Sequence, residues 1–355
     1  MYLFVVSSFC FYSFWHLRMA FLKDNLPLSF LTAFLMFFLT YLPLINTVLL
    51  RRRGGDILEF IGWFWLAIIF WFSFTQLLFD FYNLCSFLLN KNYCLSPLLS
   101  VKAGFIILFF FMLWGILELG SIRLKRLEIF SEKIPKNENF TLALLSDLHL
   151  KNGFQKPLLR KVENLLANEK VDFLLSAGDF FDGKHNEKTA ALFKQLAECP
   201  LALDKRYAVL GNHDFYSGLE NAEKAHNKSG FSLLREESVQ LNEYMQLYGA
   251  EDPSMHRQGK LPKITAADKD KFSIFLIHTP IRPEKTAEQG YDLMLSGHTH
   301  GGQIFPFNFL VLLAYPWQTG RLHCVNEKMR LYISPGTGFW GPPFRVLARP
   351  AATLI

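Results

Sequence analysis

The chain has 355 residues, 51% of them hydrophobic and 16% aromatic, including 37 Phe, which leaves room for two or three domains and excludes a uniformly soluble one. Ten of the 37 basic and five of the 31 acidic residues precede residue 127, leaving 27 against 26 in the remainder, so the net charge of +6 belongs to the first third and no nucleic-acid partner is expected. Five scattered cysteines exclude a disulfide framework and a thiolate metal site.

The apolar excess lies before Gly120, in Met1–Leu17, Leu28–Leu50, Ile57–Phe79 and Leu98–Leu119. Each is close to the roughly 20 residues that a bilayer-crossing helix needs. Four spans are therefore expected. A cleaved signal peptide competes for Met1–Leu17, but no basic residue precedes its apolar core and further spans follow. Arg51, Arg52 and Arg53 follow the second span and Arg123, Lys125 and Arg126 the fourth, whereas the opposite loops carry only Arg18, Lys23 and Lys91. Because short cytoplasmic loops retain basic residues, this bias puts both termini in the cytoplasm, beside anionic head groups. Cys85 and Cys94 fall near the loop on the other face, where an oxidising compartment would allow a disulfide.

From Ser121 to Asn139 the sequence is charged and broken by Pro135, which reads as a short juxtamembrane helix or linker. The expected division is a transmembrane region over 1–122, a linker over 123–139 and a second domain over 140–355. That domain alternates short apolar runs with amphipathic segments: Thr141–Leu145, then Pro157–Asn168; Val171–Ala177, then Lys188–Ala197; Arg206–Leu210, then Leu219–Asn227. Further strand-like runs fall at Phe231–Leu234, Met245–Tyr248, Phe272–Ile277, Tyr291–Leu295 and Met329–Ile333. Such repetition predicts an α/β domain with its sheets covered by helices.

Chemistry gathers at the strand ends. Ser146-Asp147-Leu148-His149 follows the first, Gly178-Asp179-Phe180-Phe181-Asp182 the second and Gly211-Asn212-His213-Asp214 the third. His278 closes a later strand, and Gly297-His298-Thr299-His300-Gly301-Gly302-Gln303 follows the last. Functional groups of α/β sheets collect beyond the carboxyl ends of strands, so one site can assemble these side chains. A set of carboxylate, imidazole and amide donors suits divalent Mn, Fe or Zn, and it is too large for one tetrahedral zinc. Two ions sharing a carboxylate fit it better, and such pairs activate water against phosphoryl groups.

Asp-x-His, Gly-Asp-x-x-Asp, Gly-Asn-His-Asp, a lone His and Gly-His-x-His, in that order over Phe140–Ile355, resemble the calcineurin-like metallophosphoesterases. The resemblance implies a β-sandwich flanked by helices, preceded here by about four transmembrane helices. It also implies Asp147, His149 and His300 on one metal, Asn212, His278 and His298 on the other, and Asp179 bridging them. His213 would be the general acid or transition-state donor, oriented by Asp214, with Asp182 in support. Gly-His-Thr-His-Gly-Gly-Gln and Ser334-Pro335-Gly336-Thr337-Gly338 are similar to the branch with N-terminal membrane spans, whose relatives include hydrolases of UDP-2,3-diacylglucosamine in lipid A synthesis. Arg349-Pro350-Ala351-Ala352 departs from the branch in having Ala where an acidic residue often follows Pro.

Plainer readings stand beside these. Asp182 and Asp214 are equally suited to capping a turn or helix. His185, His226, His256 and His323 have no partner motif, and Lys151, Arg282 and Arg345 read as solvated charges. The apolar run Ile304–Trp317 is either a buried strand or, given Pro306 and Pro316, a surface by which Phe309, Leu310 and Leu312 meet lipid. Function divides between a hydrolase of phosphoester or pyrophosphate bonds, on a substrate that lipid could carry, and a non-catalytic metal-dependent membrane sensor or scaffold.

Overall fold

The computed structural model describes residues 2–49, 55–89, 93–151, 155–183, 185–202, 204–255 and 261–355. Arg51, Arg52, Arg53 and Lys91, which carry part of the orientation argument, and His256 lie outside the described residues. The chain forms two compact units, one of Met1–Leu117 with Gly341–Phe344 and the other of Glu118–Trp340 with Arg345–Ile355.

The first unit contains helices α1 (Tyr2–Leu17), α2 (Leu26–Leu44), α3 (Gly55–Leu88) and α4 (Pro97–Gly120), the last ending in the second unit. Among the described residues, three helices are long and apolar enough to cross a membrane, over Leu26–Leu44, Ile57–Leu88 and Pro97–Gly120; α1, at 16 residues, falls short of the expected fourth. Helix α3 continues well past the expected end at Phe79, because the Asp80 carboxylate that interrupts the apolar run is partnered by Tyr12 Oη at 2.6 Å and His16 Nε2 at 3.1 Å. Small residues let these helices approach closely: a Cβ on Gly62 would meet the Pro43 ring at 2.5 Å, and one on Gly104 would meet Gln76 Nε2 at 2.3 Å. Cys85 and Cys94 are free thiols, and the Cys94 Sγ donates to Asn83 O at 3.8 Å, so the disulfide considered above is not formed.

The second unit carries, in chain order, β1 (Arg123–Arg126), β2 (Leu142–Leu145), α5 (Lys156–Leu166), β3 (Phe173–Ala177), α6 (Glu187–Glu198), β4 (Arg206–Val209), α7 (Asn212–Tyr216), α8 (Leu219–Lys228) and β5 (Ser232–Leu233). It continues with β6 (Glu237–Gln240), β7 (Met245–Gly249), β8 (Phe272–Leu276), α9 (Pro283–Glu288), β9 (Leu293–Ser296), α10 (Phe307–Ala314), β10 (Leu322–Val325), β11 (Met329–Ile333) and β12 (Ala351–Leu354). Two six-stranded sheets result, in the orders β1-β12-β2-β3-β4-β5 and β10-β11-β9-β8-β7-β6. Strands β2 to β5 run parallel, as do β7, β8, β9 and β11.

Alternation of side chains along each strand sorts the core into layers. Leu142 and Leu144 of β2 join Leu175, Leu247, Ile274 and Leu295 between the sheets, while Ala143 and Leu145 face α5 and α6. On the far side of the second sheet, Phe275, Met294, Leu331 and Ile333 pack with Ala287 of α9. With both faces covered, the central strands are apolar at nearly every position, which is why they stand out in the sequence. Four strands do not. At the start of the expected juxtamembrane helix or linker, Arg123–Arg126 forms β1, paired in parallel with the terminal β12, and no helix follows before β2. β6 and β10 are antiparallel edge strands in which, apart from buried Val325, the residues are exposed or half-buried. The run Ile304–Trp317 is not a strand: Phe307–Ala314 is α10, none of whose residues is buried.

Candidate metal centre

The ends of β2, β3, β4, β8 and β9 deliver the motif residues to one place. Asp147, His149 and His300 offer ligand atoms within 4.8 Å of one another, as do Asp179, His278 and His298, and a third such set joins His149 and Asp179 to His213. His149 Nε2 lies 3.1 Å from His300 Nε2, which is 3.3 Å from Asp147 Oδ1. In the second group His278 Nε2 stands 3.2 Å from both Asn212 Oδ1 and His298 Nδ1, and 3.1 Å from Asp179 Oδ2. Asp179 Oδ2 is also 3.7 Å from His149 Nε2, so this carboxylate stands between the two groups. His278 Nδ1 donates to Ala177 O at 2.7 Å, which fixes the ring and turns Nε2 toward the site.

Convergence is bought with backbone strain. Asp147, His149, Asp179, His298 and His300 all have positive φ, between 47° and 72°, a region that ordinary side chains avoid and that clusters at functional sites. Gly211 and Gly297 make room: a Cβ there would meet Asp179 Oδ1 at 2.2 Å and Asp147 Oδ2 at 2.7 Å.

The donors fit cations. Two imidazole nitrogens 3.1 Å apart have at most one proton to share, and Asp147 Oδ2 is buried without a hydrogen-bond partner. Burial pulls His149 and His298 down to about 4 and His300 well below its ordinary value, so all three keep free lone pairs at neutral pH. Burial would do the same to His278, but the carboxylates of Asp179, Asp147 and Asp252 outweigh it and push His278 up to about 10. A metal ion would take the place of that proton as the countercharge. Asp147, pushed up to about 6 chiefly by burial, is a carboxylate awaiting the same compensation.

His213 is the second residue of α7, with its backbone amide donating to Asp179 Oδ1 at 2.8 Å and its ring 4.8 Å from that of His149. Its expected partner does not orient it. Both oxygens of buried Asp214 accept backbone amides, from Gly211 at 2.9 Å, Phe180 at 3.2 Å and Phe181 at 2.9 Å, so Asp214 ties the β3 and β4 loops together as a cap. The carboxylate beside the imidazole is that of Asp182, whose Oδ2 is 3.6 Å from His213 Nδ1. Burial alone would lower His213, yet Asp182 and Asp179 together hold it above its ordinary pKa.

Three supporting residues escaped the sequence reading. Arg345, expected in solvent, is fully buried: Nη1 donates to His300 O and Pro335 O at 2.8 Å and Ala348 O at 3.1 Å, while Nε reaches Gly338 O at 3.2 Å. Its nearby signal is the Ser334–Gly338 motif, which needs a donor for the carbonyls of its turn. Gln303 clamps Trp340 through both amide atoms, at 2.7 and 2.9 Å, and the Trp340 ring lies 5.3 Å from His213. Asp252, after β7, holds Thr279 beside His278. Replacing Arg345 by Leu strands four buried carbonyls, so Arg345→Leu should cost about 3–5 kcal/mol. In the metal-free full chain this should lower the melting temperature by roughly 10 °C, and wild-type melting would refute the account.

A two-sheet sandwich whose strand ends converge carboxylate, imidazole and amide donors in adjoining groups defines a metal-dependent hydrolase of phosphate esters. The family model of the calcineurin-like phosphoesterases matches residues 140–302. A protein of Aquifex aeolicus described as an uncharacterized metallophosphoesterase is 33% identical over 246 residues, covering 67% of this chain and 93% of that one. A Danio rerio transmembrane protein with metallophosphoesterase domain is 29% identical over 251 residues, covering 64% of this chain and 55% of its own. Among solved structures, a 5'-nucleotidase precursor from Thermus thermophilus is similar at a TM-score of 0.34 and 15% identity, covering 61% of this chain and 54% of that one. The chain belongs to the calcineurin-like phosphoesterase family, whose members use a binuclear metal centre, and it is a metal-dependent phosphoesterase.

Proposed function

We propose that the protein is a multi-pass membrane enzyme whose second unit faces the cytoplasm and hydrolyses a phosphoester or pyrophosphate bond of a lipid-linked substrate such as UDP-2,3-diacylglucosamine. The observation that carries the reading is the meeting of two donor groups at Asp179 in a chain with three membrane-capable helices. Asp147, His149 and His300 would hold one ion and Asn212, His278 and His298 the other, with Asp179 bridging. The donor chemistry favours Mn, Fe or Zn. When bound, the ion pair neutralises phosphoryl charge and supplies an activated water.

The chain's own residues do the rest. His213, partly exposed and raised above its ordinary pKa, donates a proton to the leaving oxygen. Asp182 positions the imidazole through Nδ1. Buried Asp214 and Arg345 fix the loops that carry the donors, so little rearrangement is needed at the moment of reaction. The test begins with the full chain in detergent, loaded with manganese and given a chromogenic phosphodiester. Turnover that a chelator abolishes and manganese restores is expected. Inactivity of the metal-loaded protein would overturn the hydrolase reading. Incubation with a lipid extract, followed by mass spectrometry of what disappears, then tests the lipid-linked substrate.

A further inference from the structure

Helix α10 begins five residues after Gly302, and its sequence, Phe-Asn-Phe-Leu-Val-Leu-Leu-Ala, has one polar residue. A helix apolar all round belongs inside a core or a membrane. This one is in neither within its own unit: Phe309, Leu310, Leu312 and Leu313 are 61%, 57%, 45% and 82% exposed. Contiguous apolar surface of this kind marks a contact with something else. The hydrogen bonds of its single polar residue indicate what. Asn308 Nδ2 donates to Gly301 O at 2.6 Å and to Leu347 O at 3.1 Å. Leu347 and Ala348 in turn donate their amides to the Glu118 carboxylate, at 3.2 and 2.8 Å. Glu118 is in the last turn of α4, a helix long and apolar enough to cross a bilayer. One residue therefore separates α10 from the point where α4 ends, and Leu347 itself is exposed.

Charge on the same segment agrees. Lys125 lies 3.6 Å and Arg123 4.0 Å from the position a Cβ on Gly320 would take, six residues after α10. Burial first, then repulsion from Arg123 and Arg321, lowers the Lys125 pKa, as expected of cations gathered together. Apolar side chains on a segment that leads to a basic cluster, tied through Leu347 to the last turn of a membrane-capable helix, match an anionic lipid surface better than a second protein. We infer that α10 is an interfacial helix that inserts Phe309, Leu310, Leu312 and Leu313 among the acyl chains of the bilayer, holding the His300 side of the metal centre at head-group level. The bond from Asn308 to Gly301, the residue after His300, makes the link to the site direct.

This inference concerns where the helix lies and goes beyond the choice of substrate, so its test reads fluorescence and not turnover. Leu313→Cys is made in a full chain whose accessible Cys85, Cys94 and Cys324 are replaced by Ser, labelled with a nitrobenzoxadiazole and reconstituted in nanodiscs of phosphatidylcholine and phosphatidylglycerol. Lys194→Cys, on an exposed face of α6, is the aqueous control. An interfacial helix sinks roughly 5–10 Å into the head-group and acyl boundary. The Leu313 probe should therefore emit to the blue of the control, lose most of its intensity to lipid spin-labelled near the top of the acyl chain and resist iodide. Emission and iodide quenching equal to those at Lys194 would overturn the inference. So would a blue-shifted probe that spin-labelled lipid leaves bright, since protein would then cover the helix.

Discussion

Asp179→Asn is expected to lose metal and, with it, nearly all activity. Asp179 Oδ2 stands 3.1 Å from His278 Nε2 and 3.7 Å from His149 Nε2, so under the proposed assignment one carboxylate serves both ions. Burial opposes its ionisation, but the charge and hydrogen bond of His278, with the charges of His149 and His213, overcome that and hold Asp179 well below the ordinary carboxylate range. An amide keeps the shape, the acceptor for the His213 amide and tolerance of the left-handed backbone at φ 49°. What it removes is charge from two cations at once. The loss should exceed the roughly 10- to 100-fold that follows removal of an outer partner of a metal ligand. Elemental analysis of the purified variant should find well under two ions per chain, while metal-free variant and metal-free wild type melt together. Two tightly held ions in the variant would sink the bridging role.

Much of this was legible because the central parallel strands are buried on both faces. Leu142–Leu145, Phe173–Ala177 and Leu293–Ser296 are buried throughout, so they appear as unbroken apolar runs ending where polar motifs begin. Gly178, Gly211 and Gly297 mark the loops for a steric reason: at the last two, a side chain would collide with Asp179 or Asp147. Strands β1 and β12 were not legible, since Arg123–Arg126 is charged and its partner, Ala351–Leu354, begins with two alanines, which are poor strand formers. Their pairing joins positions more than 220 apart, which no local pattern records. Arg345 shows the same limit for a single residue. Pro335, Gly338 and Ala348 lie 10, 7 and 3 residues from it, but His300 lies 45 away, and the four carbonyls face one guanidinium only when the loops fold. Asp182 and Asp214 look alike in the sequence because both follow an apolar strand by a few residues. Only the path of the backbone decides which carboxylate faces an imidazole and which faces three amides.

His213→Ala should lower turnover by about 10²- to 10⁴-fold, the usual contribution of a positioned general acid, while both ions stay bound. Unlike the proposed ligands, His213 is at the rim: its side chain keeps 19% of its surface, and the rings of His149, Tyr216 and Trp340 border it at 4.8, 5.6 and 5.3 Å. A ring so placed can meet a substrate oxygen without displacing a ligand. Removing it should leave the donor groups at Asp147 and His278 intact, so metal content separates this variant from Asp179→Asn. The leaving group then tests the chemistry. A phenolate of low pKa departs without a proton, whereas an alkoxide or a phosphate ester oxygen of high pKa needs one. Aryl phosphodiesters with good leaving groups should therefore lose least, and the slope of log kcat against leaving-group pKa should steepen in the variant. Asp182→Asn, which keeps the imidazole but removes its carboxylate neighbour, should fall between wild type and His213→Ala. Equal losses for good and poor leaving groups would assign His213 to binding the phosphoryl group and not to proton transfer.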